Sequence, residues 1–147
     1  MPELPEVETT KRGIEPYLNN QCITKILVRQ KSLRIPFNDN LKKHITQVKI
    51  KNIKRRAKYI VIDFANEYSM VVHLGMTGNL RASQQKKFLK HDHIIFYLES
   101  GNSLIFNDVR RFGLVQIYKT KDSFYLLDNN GPDPFEKKAD ADYFYNR

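Results

Sequence analysis

The sequence predicts an α+β fold that is mainly β, with an amino-terminal helix followed by antiparallel strands packed as a sandwich or a flattened barrel. Two observations indicate this fold. One helical pattern opens the chain, and from Gln47 onward short segments rich in β-branched and aromatic residues succeed one another, separated by turn-like residues. The 147 residues are enough for one domain with a single core.

The helix is expected to begin near Pro5, because proline suits the first helical position. Glu6 and Glu8 fall in the first turn, where the positive end of the helix dipole favours carboxylates. Pro16 marks the region in which the helix ends. Four apolar residues fall on one face at roughly helical spacing, and they are Val7, Ile14, Tyr17 and Leu18.

Seven strands are predicted from alternation and composition. The first spans residues 22–30, and a loop over residues 36–40 follows it. The other six are Val48–Ile53, Tyr59–Phe64, Tyr68–Leu74, His93–Leu98, Ser103–Phe106 and Leu114–Tyr118. Residues 83–90 are polar and rich in lysine, which predicts a mobile basic loop.

The chain is strongly basic, with 25 lysine and arginine residues against 16 acidic ones and a formal net charge of +9. This excess indicates a polyanion as partner. Residues 42–58 hold eight basic residues and no acid, whereas residues 121–147 hold six acids and four bases. We therefore expect the contact surface on one face of the middle of the chain. A generic solvated basic surface is the alternative.

Cysteine usage and hydropathy limit the cellular setting. Cys22 is the only cysteine, so this chain can form neither an intrachain disulfide nor a cysteine zinc cluster. That usage fits a reducing cytoplasm. The amino terminus is acidic and no apolar run approaches about 18 residues, so we expect neither a signal peptide nor a membrane span. We expect a monomer.

The first residues can carry chemistry if Met1 is removed after synthesis, because Pro2 then presents a free secondary amine. An ordinary α-amino group has a pKa of about 7.7 to 8.0 against about 10.4 for lysine, so roughly a fifth of it is unprotonated near pH 7.4. A secondary amine that attacks a carbonyl-like carbon gives a Schiff base that stays cationic. Glu3 and Glu6 are at hand as proton donors and acceptors. An ordinary helix start is the alternative.

The string PELPEVET, followed by KRGIEPYL, resembles the amino terminus of the formamidopyrimidine-DNA glycosylase family, also called 8-oxoguanine DNA glycosylase or MutM. Leu4 stands where the related endonuclease VIII branch usually has glycine, which favours the oxidised-purine branch. Four internal motifs are similar to the family's as well: RRAKY at 55–59, HLGMTG at 73–78, KHDH at 90–93 and DVRRFG at 108–113. The resemblance implies an eight-stranded antiparallel β-sandwich flanked by helices, with the amino terminus in the DNA cleft and damaged double-stranded DNA as the partner.

The resemblance implies a catalytic role for four residues in a glycosylase and AP lyase that removes oxidised purines such as 8-oxoguanine and formamidopyrimidines. Pro2 would form the Schiff base, Glu3 would act in proton transfer at the sugar, and Glu6 would support the lesion pocket. Lys58 would contact the phosphate beside the lesion and donate a proton in the β-elimination that cleaves the strand. Its charge could also lower the pKa of the Pro2 amine, because like charge disfavours protonation.

Five further residues would contact DNA by the same resemblance. His73 and His91 would bind the DNA, His73 at the backbone, while Met76, Arg110 and Phe112 would fill the space left by an extruded nucleotide. An unbranched methionine suits an irregular gap. An aromatic ring beside arginine suits the replacement of a base, because the ring can stack while the guanidinium hydrogen-bonds the widowed partner.

The residues alone leave other interpretations open. Arg55 to Lys58 could be a solvated basic strand start, His73 a strand-end histidine, and Met76 and Phe112 ordinary core residues. His91 and His93 could share a strand face, but no third metal ligand is evident, so no metal site is expected.

The resemblance covers essentially the whole chain but little more than the first half of a typical family member. We expect residues 1–130 to form the catalytic β-sandwich domain and residues 131–147 to begin a linker toward a helix-two-turn-helix and a four-cysteine zinc finger. The family's zinc belongs to that finger, and no cofactor is expected in this chain. Without those phosphate contacts we expect weak or no turnover. The alternatives are a non-catalytic basic nucleic-acid-binding β module and a truncated remnant of a gene.

Overall fold

Eight strands and one α-helix make up the fold in the computed structural model, which describes residues 4–84 and 87–122. The helix α1 spans Leu4–Leu18. The strands are β1 (Ile23–Val28), β2 (Ile50–Arg56), β3 (Tyr59–Phe64), β4 (Tyr68–His73), β5 (Gly78–Ser83), β6 (Asp92–Leu98), β7 (Ser103–Asp108) and β8 (Leu114–Lys119). Two short 3-10 helices cover Asp39–His44 and Thr120–Asp122.

The strands form two antiparallel sheets, which have the orders β1-β6-β7-β5 and β2-β3-β4-β8. Their inner faces share one apolar core, to which Phe96 and Phe106 of the first sheet and Phe64 of the second contribute buried rings. The predicted fold class, a mainly β α+β protein built as an eight-stranded antiparallel sandwich, is confirmed. Among residues 4–84 and 87–122, no helix has the length and apolar character needed to cross a membrane.

Helix α1 covers one open side of the sandwich, since it contacts the edge strands β2 and β5 of the two sheets. It buries Val7, Ile14 and Leu18 against them. The prediction that Tyr17 shares this face was wrong, because Tyr17 is 45% exposed. In a helix with 3.6 residues per turn it points about 100° away from Leu18.

All seven predicted strands are present, with ends displaced by up to three residues. The eighth, β5, has the sequence GNLRAS, whose partly exposed polar residues hide the alternation. Arg55 and Arg56 end β2, which continues three residues past its predicted end at Ile53, and β3 begins at Tyr59 as predicted. Asp39 and Asn40 start a 3-10 helix, whereas a loop was predicted there.

The second sheet brings three connections together at one end. Its register pairs Tyr59 with His73 and His73 with Leu114. The β2–β3 turn precedes Tyr59, the β4–β5 connection follows His73, and the β7–β8 connection precedes Leu114. These three connections therefore lie side by side.

The first sheet places further residues at the same end. Gly78 pairs with Asp108, and Asp92 pairs with Asn107, so the starts of β5 and β6 lie beside the end of β7. We call this end of the sandwich the loop end. It comprises residues 57–58, 74–77, 89–91 and 109–113.

Candidate functional site

The loop end holds five of the seven described residues that the sequence singled out. Lys58, Met76, His91, Arg110 and Phe112 all lie in its connections. The remaining two adjoin it, because His73 is the last residue of β4 and Glu6 is an exposed residue in the first turn of α1. Pro2 and Glu3 lie outside the described residues, as does the linker expected over residues 131–147.

An ion pair places the start of α1 at the loop end. Glu8 Oε1 accepts a hydrogen bond from Arg55 Nε at 2.8 Å, and Glu8 Oε2 accepts one from Arg12 Nε at 3.0 Å. At the far end of the helix, the N–H of Asn20 donates to the carbonyl oxygen of Ile50 at 3.2 Å. The helix therefore runs antiparallel to β2, with its first turn beside the end of that strand.

The charge state of Glu8 follows from these contacts. The hydrogen bond from Arg55 is the main cause that lowers the pKa of Glu8 below its ordinary value of 4.5, while desolvation opposes the shift and Arg12 adds to it. The carboxylate is therefore ionised at neutral pH and holds both arginines.

The same arginine fixes the turn that carries Lys58. Ala57 and Lys58 form a two-residue connection between Arg56 and Tyr59, which pair across β2 and β3. Ala57 adopts a left-handed φ of 50°, and its carbonyl oxygen accepts a hydrogen bond from Arg55 Nη1 at 2.8 Å. Lys58 is partly buried. Its position is thus linked through Arg55 to the start of α1.

His73 ends β4, as the sequence predicted, and only 2% of it is exposed. Its Nδ1 accepts a hydrogen bond from the N–H of Gly75 at 3.0 Å, so the proton of the neutral ring resides on Nε2. The ring packs edge-on against Tyr59, with 4.9 Å between the centroids. In this arrangement the imidazole supports the β4–β5 connection, and its contact with DNA stays a prediction.

The β4–β5 and β7–β8 connections touch through their backbones. Gly75 has a φ of 63°, and a Cβ there would lie 2.7 Å from backbone atoms of Phe112 and Gly113. Met76, next to Gly75, is 45% exposed, so its interpretation as a core residue was wrong. The guanidinium of Arg110 lies over the ring of Phe112 at 5.1 Å. Two connections in contact therefore carry all three residues expected to fill a gap in DNA.

Asp108 joins these connections, which the sequence reasoning missed. The residue is fully buried, and its Oδ1 accepts a hydrogen bond from the Thr77 hydroxyl at 2.7 Å while Oδ2 accepts one from the N–H of Gly113 at 2.7 Å. The Thr77 oxygen in turn accepts from the N–H of Arg110 at 2.9 Å. The carbonyl oxygen of Asp108 lies 2.6 Å from His93 Nε2. Because a carbonyl oxygen only accepts, that nitrogen carries a proton.

A pocket of about 430 Å³ lies beside His91. Its lining is rich in cationic and imidazole side chains and consists of Arg29, Gln30, Lys90, His91, Asp92, His93, Val109 and Arg111. Arg29 Nη1 donates to the carbonyl oxygens of Leu89 and Asp92, both at 2.9 Å, which fixes the backbone on either side of His91. An anionic ligand suits such a lining.

The carboxylate of Asp92 holds the same segment from inside. It accepts two hydrogen bonds from Arg81 at 3.0 and 2.8 Å, one from Asn107 at 2.8 Å and one from the N–H of Leu89 at 2.8 Å. Burial acts to raise the pKa of Asp92, but these hydrogen bonds and the charge of Arg81 outweigh it and hold that pKa below 3.8. Among the described lining residues, Asp92 alone carries a carboxylate, and its charge is paired with Arg81, so the lining keeps an excess of positive charge.

Among the residues that the structure describes, no group of three or more histidine, cysteine, aspartate or glutamate side chains is placed to hold a metal ion. The rings of His91 and His93 have centroids 6.1 Å apart. The Nε2 of His93 is already hydrogen-bonded to the carbonyl oxygen of Asp108.

Sequence reasoning missed the residues that hold the site together. Asp92 and Asp108 lie within recognised motifs, but their neighbours drew attention as DNA contacts. The sequence did contain a signal for Asp108, because it ends the segment LIFND, which begins with three apolar residues. A carboxylate at the end of such a strand is expected to be buried and to need hydrogen-bond donors. No local pattern could have paired Glu8 with Arg55, which is 47 residues away.

Comparisons with known proteins show which family the chain resembles. The sequence profile described as "Formamidopyrimidine-DNA glycosylase N-terminal domain" matches residues 1–115. A protein of Pasteurella multocida (strain Pm70) described as formamidopyrimidine-DNA glycosylase is 43% identical over 148 residues, which cover 100% of this chain and 54% of that protein. One of the same description from Rickettsia africae (strain ESF-5) is 42% identical and covers 97% of this chain and 53% of its own length. The chain thus spans about half the length of these curated relatives.

Solved structures give the same result. A complex of Lactococcus lactis FPG (MutM) with DNA containing FAPY-dG has a TM-score of 0.78 at 32% identity, over 90% of this chain and 51% of that chain. A complex of the Lactococcus lactis protein with DNA containing an abasic site has a TM-score of 0.78 at 31% identity, with the same coverage. The profile match over residues 1–115, supported by these relatives and structures, shows that the chain belongs to the formamidopyrimidine-DNA glycosylase family.

Proposed function

We propose that this chain carries the catalytic half of a DNA repair glycosylase and AP lyase that removes oxidised purines through a Schiff base at Pro2. The observation that carries the proposal is the assembly at the loop end. There the first turn of α1, the turn with Lys58 and the connections with Met76 and Phe112 meet beside a cationic pocket. Related Lactococcus lactis proteins have been solved with damaged DNA.

The proposed reaction begins with attack of the Pro2 amine on the sugar C1′. The new N–C1′ bond forms as the bond from C1′ to the base breaks, and the proton lost by the amine accompanies the departing base. Glu3 then protonates the ring oxygen, so that the ring opens and the nitrogen lone pair forms the cationic iminium. Glu6, in the first turn of α1, supports the pocket that receives the lesion.

Strand cleavage follows from the iminium, because it acts as an electron sink. A water molecule takes a proton from C2′, the electrons of that C–H bond form an enamine, and the enamine expels the 3′ phosphate while Lys58 donates a proton to this leaving group. Water then hydrolyses the iminium and restores the amine. The partly buried position of Lys58 in a pinned turn suits a group that has to reach one fixed atom.

The target nucleotide has to leave the stack before this chemistry can start, at a cost of a few kcal/mol. Met76 and the stacked pair of Arg110 and Phe112 would occupy the gap and offset part of that cost. His91 and the pocket beside it would bind phosphate, because Arg29, Lys90 and Arg111 supply positive charge there.

Borohydride trapping on duplex DNA with an abasic site tests the proposal. Reduction converts the iminium to a stable amine, so a covalent complex of protein and DNA accumulates even when turnover is slow. We expect a strong adduct with the chain that starts at Pro2, and a much weaker adduct with Pro2→Gly or with Met1 retained. Circular dichroism of each variant checks that the sandwich has folded.

Binding without an adduct would favour the rival function. A chain that binds duplex DNA in a salt-dependent manner, but that borohydride never links to an abasic site, would be a non-catalytic nucleic-acid-binding β module. Intact mass measurement of the purified chain shows whether Met1 is removed and thus whether the amine exists.

A further inference from the structure

Met76 lies on the β4–β5 connection, and Arg110 and Phe112 lie on the β7–β8 connection. The buried carboxylate of Asp108 is hydrogen-bonded to both connections. We infer that Asp108 is a positioning residue that holds the β4–β5 and β7–β8 connections as a single unit, so that the three side chains enter DNA together. The inference rests on the proposed function for its consequence in DNA. The coupling itself is a property of the protein alone.

The topology explains why the two connections need a link between them, which we call the clamp. β4 belongs to the second sheet and β5 to the first, while β7 belongs to the first and β8 to the second. Both connections therefore cross between the sheets at the same end. Without a link each would be fixed only at its two ends, and any sliding of one sheet over the other would move Met76 relative to Phe112.

The carboxylate of Asp108 supplies the link. It binds the Thr77 hydroxyl of one connection with Oδ1 and the N–H of Gly113 in the other with Oδ2, both at 2.7 Å. A buried charge is costly unless its hydrogen bonds are made. Separation of either connection would leave Asp108, which has no exposed surface, without one of these two donors. The two connections are thus expected to move together or not at all.

Two further contacts stiffen the unit. The Thr77 oxygen also accepts from the N–H of Arg110 at 2.9 Å, so that one hydroxyl bridges Asp108 and the residue that stacks on Phe112. The backbone of Gly75 packs on that of Phe112 and Gly113, where even a methyl group would clash at 2.7 Å. Thr77 is therefore the position where a small change breaks the clamp without altering any residue expected to touch DNA.

The variant Thr77→Val removes the hydroxyl and keeps the shape, and Thr77→Ser restores the hydroxyl. Thr46→Val is the matched control, because Thr46 is also partly buried and donates one hydroxyl hydrogen bond, to Lys42 O at 2.7 Å, away from the loop end. Backbone amide exchange of the free protein gives the first measurement. The amide of Ile95, in the middle of β6, is the internal reference for global stability.

We expect Thr77→Val to speed exchange at Gly113 at least about tenfold, the lower end of the range expected for the loss of one hydrogen bond to a charged group, with Ile95 unchanged. The N–H of Gly113 donates to Asp108 Oδ2 and the Thr77 hydroxyl donates to Asp108 Oδ1, so the effect has to pass through Asp108. Faster exchange at Arg110 alone, with Gly113 as in the wild type, would overturn the clamp.

The second measurement follows insertion into DNA. A duplex with a tetrahydrofuran abasic site and 2-aminopurine beside it reports local unstacking as a rise in fluorescence. Thr77→Val should slow this rise about tenfold, whereas Thr77→Ser and Thr46→Val should match the wild type. Equal rates for all four proteins would refute concerted insertion.

The two measurements separate the inference from the proposed function. A wild type that gives no fluorescence rise would remove the role in DNA, and amide exchange would still decide whether Asp108 couples the two connections.

Discussion

Arg55 Nε lies 2.8 Å from Glu8 Oε1, and this ion pair joins the start of α1 to the turn that carries Lys58. Both side chains are about one-third exposed, at 30% and 29%, so the pair adds little to global stability. The ion pair instead fixes the position of the helix relative to the turn. Arg55 binds the helix with Nε and the carbonyl oxygen of Ala57 with Nη1, so one guanidinium sets the distance between two parts of the proposed site.

Replacement of Glu8 by glutamine should remove part of the stability that the chain gains between acid and neutral pH. A carboxyl group with a lowered pKa stabilises the fold above its unfolded value, and this contribution is lost as the pH falls through the folded value. The pKa of Glu8 lies below 4.5. Urea unfolding should therefore show a difference between wild type and Glu8→Gln that is full above about pH 4.5 and disappears in more acid solution.

Glu15→Gln is the matched control for this experiment, because it removes the same charge from the same helix. Glu15 pairs with Lys11 within α1 at 3.4 Å and reaches no strand. A partly exposed pair one helical turn apart contributes about 0.3–0.5 kcal/mol. A Glu8→Gln curve parallel to the wild type at every pH would show that the Arg55 contact is not the cause of the shift.

Lys58→Met should separate the two halves of the proposed reaction. The iminium at Pro2 still forms, so borohydride trapping persists, while strand cleavage slows by about 10²–10⁴-fold because the proton donor is lost. Denaturing gels of the same abasic duplex measure both products. Lys119→Met, at the end of β8 that pairs with Tyr68 and lies away from the loop end, removes the same charge and should leave cleavage unchanged. Equal loss in both variants would point to net charge alone.

The fold could be predicted from sequence wherever burial sets the hydrophobic pattern of a strand. β3 and β7 are buried along their whole length, and their apolar runs were found. β5 was missed because it lies at a sheet edge beside α1, with Asn79 and Arg81 partly in solvent. Local pattern also ended β2 at Ile53, three residues early, because basic residues follow. The two-residue turn at Ala57 and Lys58 uses no glycine, so nothing in the composition marked it.

The resemblance named residues of the candidate site but not the contacts that hold them in place. Motif resemblance located Lys58 and Met76, which the fold brings to one end through the register of β3 and β4. The groups that hold these residues in place bind across the sheets and across long sequence separations. Asp108 reaches Thr77 over 31 residues, a relation that only the three-dimensional structure contains.

Gly75→Ala should be far more damaging than Gly101→Ala, although both glycines have left-handed φ values of 63° and 98°. At Gly101 no atom lies within 4 Å of an added Cβ, so the cost is the backbone strain of about 1 kcal/mol. At Gly75 the Cβ would also meet the backbone of Phe112 and Gly113 at 2.7 Å. We expect a loss of about 3 kcal/mol in urea unfolding. Similar losses in both variants would mean that the two connections are not in close contact.

Asp92→Asn should destabilise the chain by about 2 kcal/mol, since it leaves Arg81 without its ionic partner beside a fully buried side chain. The figure is below that for a fully buried pair because Arg81 is 32% exposed. This loss of stability should be complete above pH 3.8, the ordinary pKa of an aspartate. It should decline as the pH falls further, because the pKa of Asp92 in the folded protein lies below that value. Asp63→Asn is the control, because Asp63 pairs with a half-exposed lysine, Lys54, at 3.2 Å, and should cost only about 1 kcal/mol.

Because Asp92 also binds the N–H of Leu89, its loss should loosen the segment that carries His91. Weaker binding of duplex DNA by Asp92→Asn, but not by Asp63→Asn, would connect this buried carboxylate to the cationic pocket, whereas equal binding would confine its role to stability.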